Sequence, residues 1–192
     1  YLALAAALDG VQIFYAVKAN PAPEILSRLA ALGSSFDVAS QAEVEMALAA
    51  GAEPGRISYG NTIKKEADIA RAFAMGVRMF AFDSEAELHK IARAAPGAKV
   101  FCRILTSGAG ADWPLSKKFG CTPEQALPLL QLAQAKGIKV MGLSFHVGSQ
   151  VPHARRHVQA IDACREIMEQ AWDLGLKPWV LDIGGGFPVD YD

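Results

Sequence analysis

Phe14-Tyr15-Ala16-Val17-Lys18-Ala19-Asn20-Pro21 is the stretch from which the rest of the chain can be read. The run Gln12–Val17 is aromatic and β-branched, as a strand is, and it stops at a lysine. The next segment, Pro23–Leu32, places Ala, Leu and Ile three and four apart, which marks one apolar helical face. This unit then repeats. Strand-like runs recur at Ser35–Ala39, Arg56–Tyr59, Val77–Phe82, Lys99–Leu105, Lys139–His146 and Pro178–Ile183. Helical stretches fall between them at Ala42–Ala50, Lys65–Met75, Glu85–Ala94, Pro123–Ala135 and His153–Leu174. Ser40 with Glu43, and Ser84 with Glu87, match the capping-box pattern at helix starts. Gly33, Gly51, Gly76, Gly137 and Gly175 stand where helices end.

Strict alternation implies parallel strands joined by right-handed crossovers. The early strands recur about every 21 residues and the later ones about every 40, compact for the units of a barrel. A doubly wound open sheet is the alternative, but it usually carries a G-x-G-x-x-G turn after its first strand. Here that strand ends in Lys18-Ala19-Asn20-Pro21, with no glycine. The expected class is therefore α/β, a TIM-like (β/α)8 barrel with seven of its strands present. A closed barrel needs eight, so residues 1–192 are read as one incomplete barrel domain from a longer protein. No linker or low-complexity stretch divides them.

Composition narrows the function. The chain is 52% apolar with a formal charge of −1. That balance gives no electrostatic case for nucleic acid or an anionic membrane. No apolar run approaches the ~20 residues that span a bilayer. Tyr1–Leu8 is apolar without a basic leader, and is read as a helix remnant rather than a signal peptide. Cys102, Cys121 and Cys164 are odd in number and widely spaced, with no C-x-x-C. A disulfide framework or zinc ribbon is not expected, and a reduced cytoplasmic setting fits.

Active sites of this architecture lie at the C-terminal ends of the strands. Those ends read Lys18, Asp37, Asn61, Asp83, Arg103, His146 and Asp182. Any one of them could be polar only because water begins there. Together, a lysine, an arginine, a histidine and the turn Gly184-Gly185-Gly186 point to a site. Three glycines after a strand let backbone N–H groups approach an anion, and barrels often build phosphate sites after the seventh strand. Ser144-Phe145-His146-Val147-Gly148-Ser149 adds a histidine and a hydroxyl. A lysine at a barrel mouth with a lowered pKa is a nucleophile toward an aldehyde. Pyridoxal 5′-phosphate (PLP) is the aldehyde cofactor that also carries a phosphate.

These motifs resemble the alanine-racemase-like, fold-type III PLP enzymes, and among them the ornithine/diaminopimelate/arginine decarboxylase group. The marks are Tyr15 to Asn20, Phe36-Asp37-Val38-Ala39-Ser40 with Glu43, Lys118-Phe119-Gly120, Ser144 to Ser149, and Asp182 to Phe187. Ala111-Asp112-Trp113-Pro114-Leu115-Ser116 is similar to bacterial ornithine decarboxylases. The resemblance implies PLP on Lys18, with Asp37 orienting that lysine. It places His146 against the ring and Arg103 near it. Ser149 and the N–H groups of Gly184, Gly185 and Gly186 hold the phosphate. Glu43 supports the site, and Lys118 reaches toward the partner subunit of a homodimer. Catalysis falls to Lys18 and His146, and no metal is expected. The implied reaction is decarboxylation of a basic amino acid, L-ornithine to putrescine in polyamine synthesis. Lysine or diaminopimelate decarboxylation, a racemase, or a non-catalytic PLP-binding or regulatory homologue are the alternatives. The family's ring-nitrogen carboxylate, eighth strand and C-terminal β domain are not in this sequence, so residues 1–192 alone are expected to be inactive.

Five smaller signals receive ordinary readings. Glu53-Pro54-Gly55-Arg56 spells a signature that the family carries further downstream, and is read here as a helix-ending turn. His153 and His157, four apart, are expected to face solvent rather than bind zinc. Lys64-Lys65 is expected on a solvated face. Trp113, Trp172 and Trp179 are assigned to packing or interfaces and Cys102 to the interior.

Overall fold

The computed structural model describes residues 1–106 and 118–190. A short helix, α1 (Leu2–Ala7), precedes an alternating series: β1 (Phe14–Ala16), α2 (Pro23–Ala31), β2 (Ser35–Val38), α3 (Gln41–Ala49), β3 (Ile57–Tyr59) and α4 (Glu66–Ala74). It continues with β4 (Met79–Phe82), α5 (Glu85–Ala94), β5 (Lys99–Arg103), α6 (Pro123–Ala135), β6 (Lys139–Ser144), α7 (Arg155–Asp173) and β7 (Val180–Asp182). The seven strands form one sheet in the order β1-β2-β3-β4-β5-β6-β7, and each neighbouring pair is parallel. A doubly wound sheet reverses its strand order at a switch point. This sheet never reverses, so it winds one way as a barrel wall does. Among the described residues β1 pairs only with β2, and β7 only with β6.

The central strands, β2 to β6, are largely buried on both faces, as parallel strands under helices are. Ile57, Ser58 and Tyr59 are all buried, as are Phe80, Ala81 and Phe82. Ile57, Tyr59, Phe80 and Phe82 join one core with Leu26 of α2, Val44 and Ala47 of α3, Ile69 and Ala72 of α4, and Leu88 and Ile91 of α5. Each helix buries only the stripe its sequence periodicity marked.

Several elements differ from the sequence reading. The strands are shorter at their ends, because the ladder stops where the chain turns into rim loops. Arg56 leaves β3 for a 3-10 turn, Pro54–Arg56, and its guanidinium donates to the Gly33 carbonyl. Met141 is an extra residue on β6: Val100 pairs with Val140, and Phe101 with Gly142. The bulge sits beside Gly142, where a Cβ would lie 1.8 Å from the Val180 carbonyl oxygen. Ser40 and Ser84 each accept a bond from the backbone N–H of Glu43 and Glu87, at 3.3 Å. Neither glutamate returns the bond to its own cap: Glu43 Oε2 accepts from Ala39 N–H at 2.6 Å, and Glu87 meets lysines instead.

Lys64 corrects the expectation of a solvated face. Its side chain is fully buried, 2.9 Å from Glu87, and donates to the carbonyls of Asn61 (2.8 Å) and Ala81 (2.6 Å). Lys65, beside it, is exposed. Cys102 is buried as expected. Trp172 and Trp179 are half exposed, at 53% and 52%. Trp113 and the tract Ala111 to Ser116 lie outside the described residues. No described helix is long and apolar enough to cross a membrane.

Candidate active site

Lys18 lies just past β1 in a 3-10 turn, Val17–Ala19, where Val17 is buried and Lys18 exposed. Register pairs Ala16 with Asp37, which brings the Asp37 carboxyl beside the turn that carries Lys18. Burial pushes the Asp37 carboxyl up to about 7, and the charges of Asp182 and Glu43 add to it. Lys18 and Arg103 oppose that rise without cancelling it. Asp37 lies over Gly60, where a Cβ would come within 2.1 Å of its Oδ1. Only glycine leaves room for the carboxyl there, and nothing in the local sequence marks it.

On the opposite side, register sets Arg103, Ser144 and Asp182 side by side at the ends of β5, β6 and β7. Burial holds the Arg103 guanidinium below its ordinary value, against the pull of Asp83, Asp182 and Asp37. Its Cζ stands 5.2 Å from the centre of the Phe119 ring, and Lys118 Nζ stands 5.1 Å from the same ring. Asp83 Oδ2 accepts from Gly120 N–H at 2.8 Å, which ties Lys118-Phe119-Gly120 to the rim. Lys118 itself is exposed.

His146 follows β6. Its Nδ1 accepts from Gly148 N–H at 3.0 Å, so the neutral ring carries its proton on Nε2. Burial, then the charges of Arg103, Lys18 and His157, pushes the imidazole down to about 4. It is therefore an uncharged, flat group near neutral pH. Thr106 Oγ1 donates to the His146 carbonyl at 3.0 Å and fixes its backbone.

The triple-glycine turn adjoins His146. A Cβ on Gly184 would lie 2.4 Å from the Phe145 carbonyl oxygen, and one on Gly186 would lie 2.0 Å from that of Gly148. Gly184 and Gly186 also hold φ of +66° and +91°, where side chains are strained. Gly184 N–H donates to Asp182 Oδ1 at 2.8 Å, and the Gly186 carbonyl accepts from Val151 N–H at 2.9 Å. Among the described residues, the N–H groups of Gly185 and Gly186 have no acceptor. Two such donors, in a turn whose close backbone packing excludes side chains at Gly184 and Gly186, suit an anionic group such as a phosphate. With exposed Lys18 and uncharged His146 on the same rim, the residues fit an aldehyde cofactor that carries a phosphate.

Every sequence-chosen residue except Glu43, which lies in the first turn of α3, is thus at the C-terminal end of a strand or in the segment that follows it. Lys18, Asp37, Arg103 and His146 are electrostatically coupled. Ser149 is exposed beside Gln150, whose side chain exchanges two 2.9 Å bonds with the Val189 backbone. Asn61 spends its amide on the Ala39 carbonyl (3.3 Å) rather than on the mouth. His157 corrects the expectation of a solvent-facing pair: it is buried against the glycine turn. The helical spacing from His153 placed it on α7, but only the packing of α7 on that turn shows which way it faces.

The family model described as "Pyridoxal-dependent decarboxylase, pyridoxal binding domain" matches residues 1–192. The chain belongs to that family. Pyridoxal phosphate is the cofactor of this pyridoxal-binding domain, and its wall is the N-terminal barrel of the fold-type III decarboxylases. The domain is 45% identical over 183 residues to the chloroplastic ornithine decarboxylase of Nicotiana glauca, covering 94% of this chain and 42% of the relative. It is 41% identical to antizyme inhibitor 2 of Xenopus laevis, covering 97% of this chain and 41% of the relative. The lysine/ornithine decarboxylase of Vibrio vulnificus, solved with putrescine, superposes with a TM-score of 0.89 at 41% identity, over 100% of this chain and 50% of that one. The chain spans less than half the length of the curated relatives named here.

Proposed function

We propose that the protein containing this domain is a PLP-dependent carboxy-lyase that decarboxylates a basic amino acid, L-ornithine to putrescine, in polyamine synthesis. The observation that carries the reading is the convergence, on one barrel rim, of an exposed lysine, an uncharged histidine and a triple-glycine turn with two N–H donors that have no acceptor among the described residues. When bound, the cofactor draws electrons from the substrate's α-carbon as the carboxylate leaves. Lys18 would hold the cofactor's aldehyde carbon covalently and yield it to the substrate amine. Asp37, whose carboxyl is poised near neutrality, would keep the Lys18 amine oriented, with Glu43 behind it. The flat, uncharged His146 would lie against the ring without adding a positive charge there, and Arg103 would lie at its edge. Ser149 and the N–H groups of Gly185 and Gly186 would hold the phosphate, while Gly184, whose N–H is spent on Asp182, would shape the turn that presents them.

Lys118, exposed on its turn, would meet a partner subunit in a homodimer. A cytoplasmic location agrees with three free cysteines. Ornithine is favoured over lysine, arginine and diaminopimelate by the sequence likeness to ornithine decarboxylases. The likeness to antizyme inhibitor 2 favours a second reading, a regulatory homologue that has lost turnover. Retention of Lys18, Asp37, His146 and the three glycines argues against it.

The test uses the full-length protein. It should be yellow, borohydride should fix the cofactor on Lys18, and labelled CO2 should be released fastest from ornithine among the four amino acids. Label on another lysine rejects the site. A colourless protein without turnover leaves the regulatory reading in its place.

A further inference from the structure

His157 is the third residue of α7 and is 8% exposed. Its Nε2 lies 3.2 Å from the Gly185 carbonyl oxygen. Its ring stacks on Phe187, the residue after the glycines, with centroids 4.9 Å apart and planes within 5°. One side chain therefore grips the triple-glycine turn at its middle and at its end. Packing alone would need only an aromatic ring, but a ring N–H on a backbone carbonyl does more. The Gly185–Gly186 peptide is planar and trans, so its C=O and its N–H point in opposite directions. Drawing the Gly185 carbonyl toward α7 turns the Gly186 N–H away from α7, and that donor has no acceptor among the described residues.

We propose that His157 is a positioning residue for the cofactor's phosphate. It fastens the Gly185 carbonyl so that the neighbouring Gly186 N–H stands aimed before the phosphate arrives. Three consecutive glycines lose more backbone freedom on ordering than any other tripeptide. An anchor that orders them in advance converts that loss into affinity. Both the neutral Nε2–H form and the imidazolium can donate, so the grip does not depend on the charge of His157. The proposal rests on the reading of this turn as the PLP phosphate site.

The experiment compares two aldehydes on the full-length apoprotein, PLP and phosphate-free pyridoxal, with dissociation constants from absorbance titration. The variant His157→Phe keeps a ring for Phe187 but has no donor, whereas His157→Gln keeps a donor without the ring. His157→Phe should weaken PLP about tenfold, the loss of one hydrogen bond to a site that needs it, while pyridoxal binds as in wild type. His157→Gln should bind PLP more tightly than His157→Phe. Equal weakening toward both aldehydes, or none, overturns the positioning role. If His157→Phe does not fold, the PLP-to-pyridoxal preference of His157→Gln decides: a preference close to wild type supports the role, and one lost outright opposes it. A wild-type protein that binds both aldehydes equally overturns the proposal but leaves the cofactor reading standing. One that binds neither overturns both.

Discussion

Asp37 and His146 face the same mouth and respond to pH in opposite senses. The Asp37 carboxyl is raised to about 7 from an ordinary 3.8, so between those values the folded chain holds a proton that the unfolded chain has lost. Its contribution to stability is present at low pH and is lost as pH rises toward 7. The His146 imidazole is lowered to about 4 from 6.5, so in that window the unfolded chain holds the extra proton. Its contribution is full above 6.5 and is lost as pH falls toward 4. The two nearly oppose each other in the wild type. In the apoprotein, Asp37→Asn should leave the histidine unopposed, so the urea midpoint rises more steeply between about pH 4.5 and 6.5 than in wild type. Parallel profiles for the two proteins would show that Asp37 is not perturbed. Lys18 and His146 were legible in the sequence because each follows an apolar run, and Asp37 because it is a lone charge within one. Gly60 was not, because its requirement comes from a carboxyl on the neighbouring strand.

At the scale of elements, one buried charge cluster joins α5 to the ends of β3 and β4. Lys64 bonds to Glu87 on α5, and its bonds to the Asn61 and Ala81 carbonyls hold the loop after β3 against the end of β4. Glu87 also meets Lys90 at 2.5 Å. Burial pushes the Lys64 ammonium down to about 8 even against the attraction of Glu87. Glu87→Gln should therefore lower stability by about 3 kcal/mol, the scale of a buried pair broken on one side. Lys64→Met should lower it less, because Glu87 keeps Lys90. Urea unfolding of both variants checks the order, and equal losses would refute it. The glycine turn makes a second prediction: Gly186→Ala places a Cβ 2.0 Å from the Gly148 carbonyl oxygen at φ +91°. It should cost at least the ~1–3 kcal/mol of a strained backbone and abolish tight PLP binding, measured by cofactor titration. An alanine variant that keeps its cofactor would contradict the cradle. Helix faces were legible from periodicity, but the bulge at Met141 was not, because it answers to the fit of β6 between two neighbours.

At the scale of the whole molecule, the sheet has two edges among the described residues, β1 and β7. Unpaired parallel edges offer backbone donors and acceptors to other chains. Large apolar side chains accompany them: Val11 before β1, Trp179 next to β7, and Phe187 and Val189 beyond it, each at least half exposed. A polypeptide of residues 1–192 expressed alone should therefore self-associate and show no turnover, whereas the full-length protein should give one defined species. Light scattering and a decarboxylation assay test both halves. A monodisperse, active piece would show that this wall needs nothing further.

The sequence alone determined the class of fold, the order of its elements and the short stretch in which each strand ends. Apolar strand runs and the helical spacing of 3.6 are written locally, whereas the point at which a ladder stops depends on the neighbouring strands. Tertiary structure alone decided which of those ends share a site, that Lys64 and His157 turn inward, and that Gly60 and Gly142 admit no side chain. Those facts depend on distances between segments remote in sequence, which only closing the wall sets.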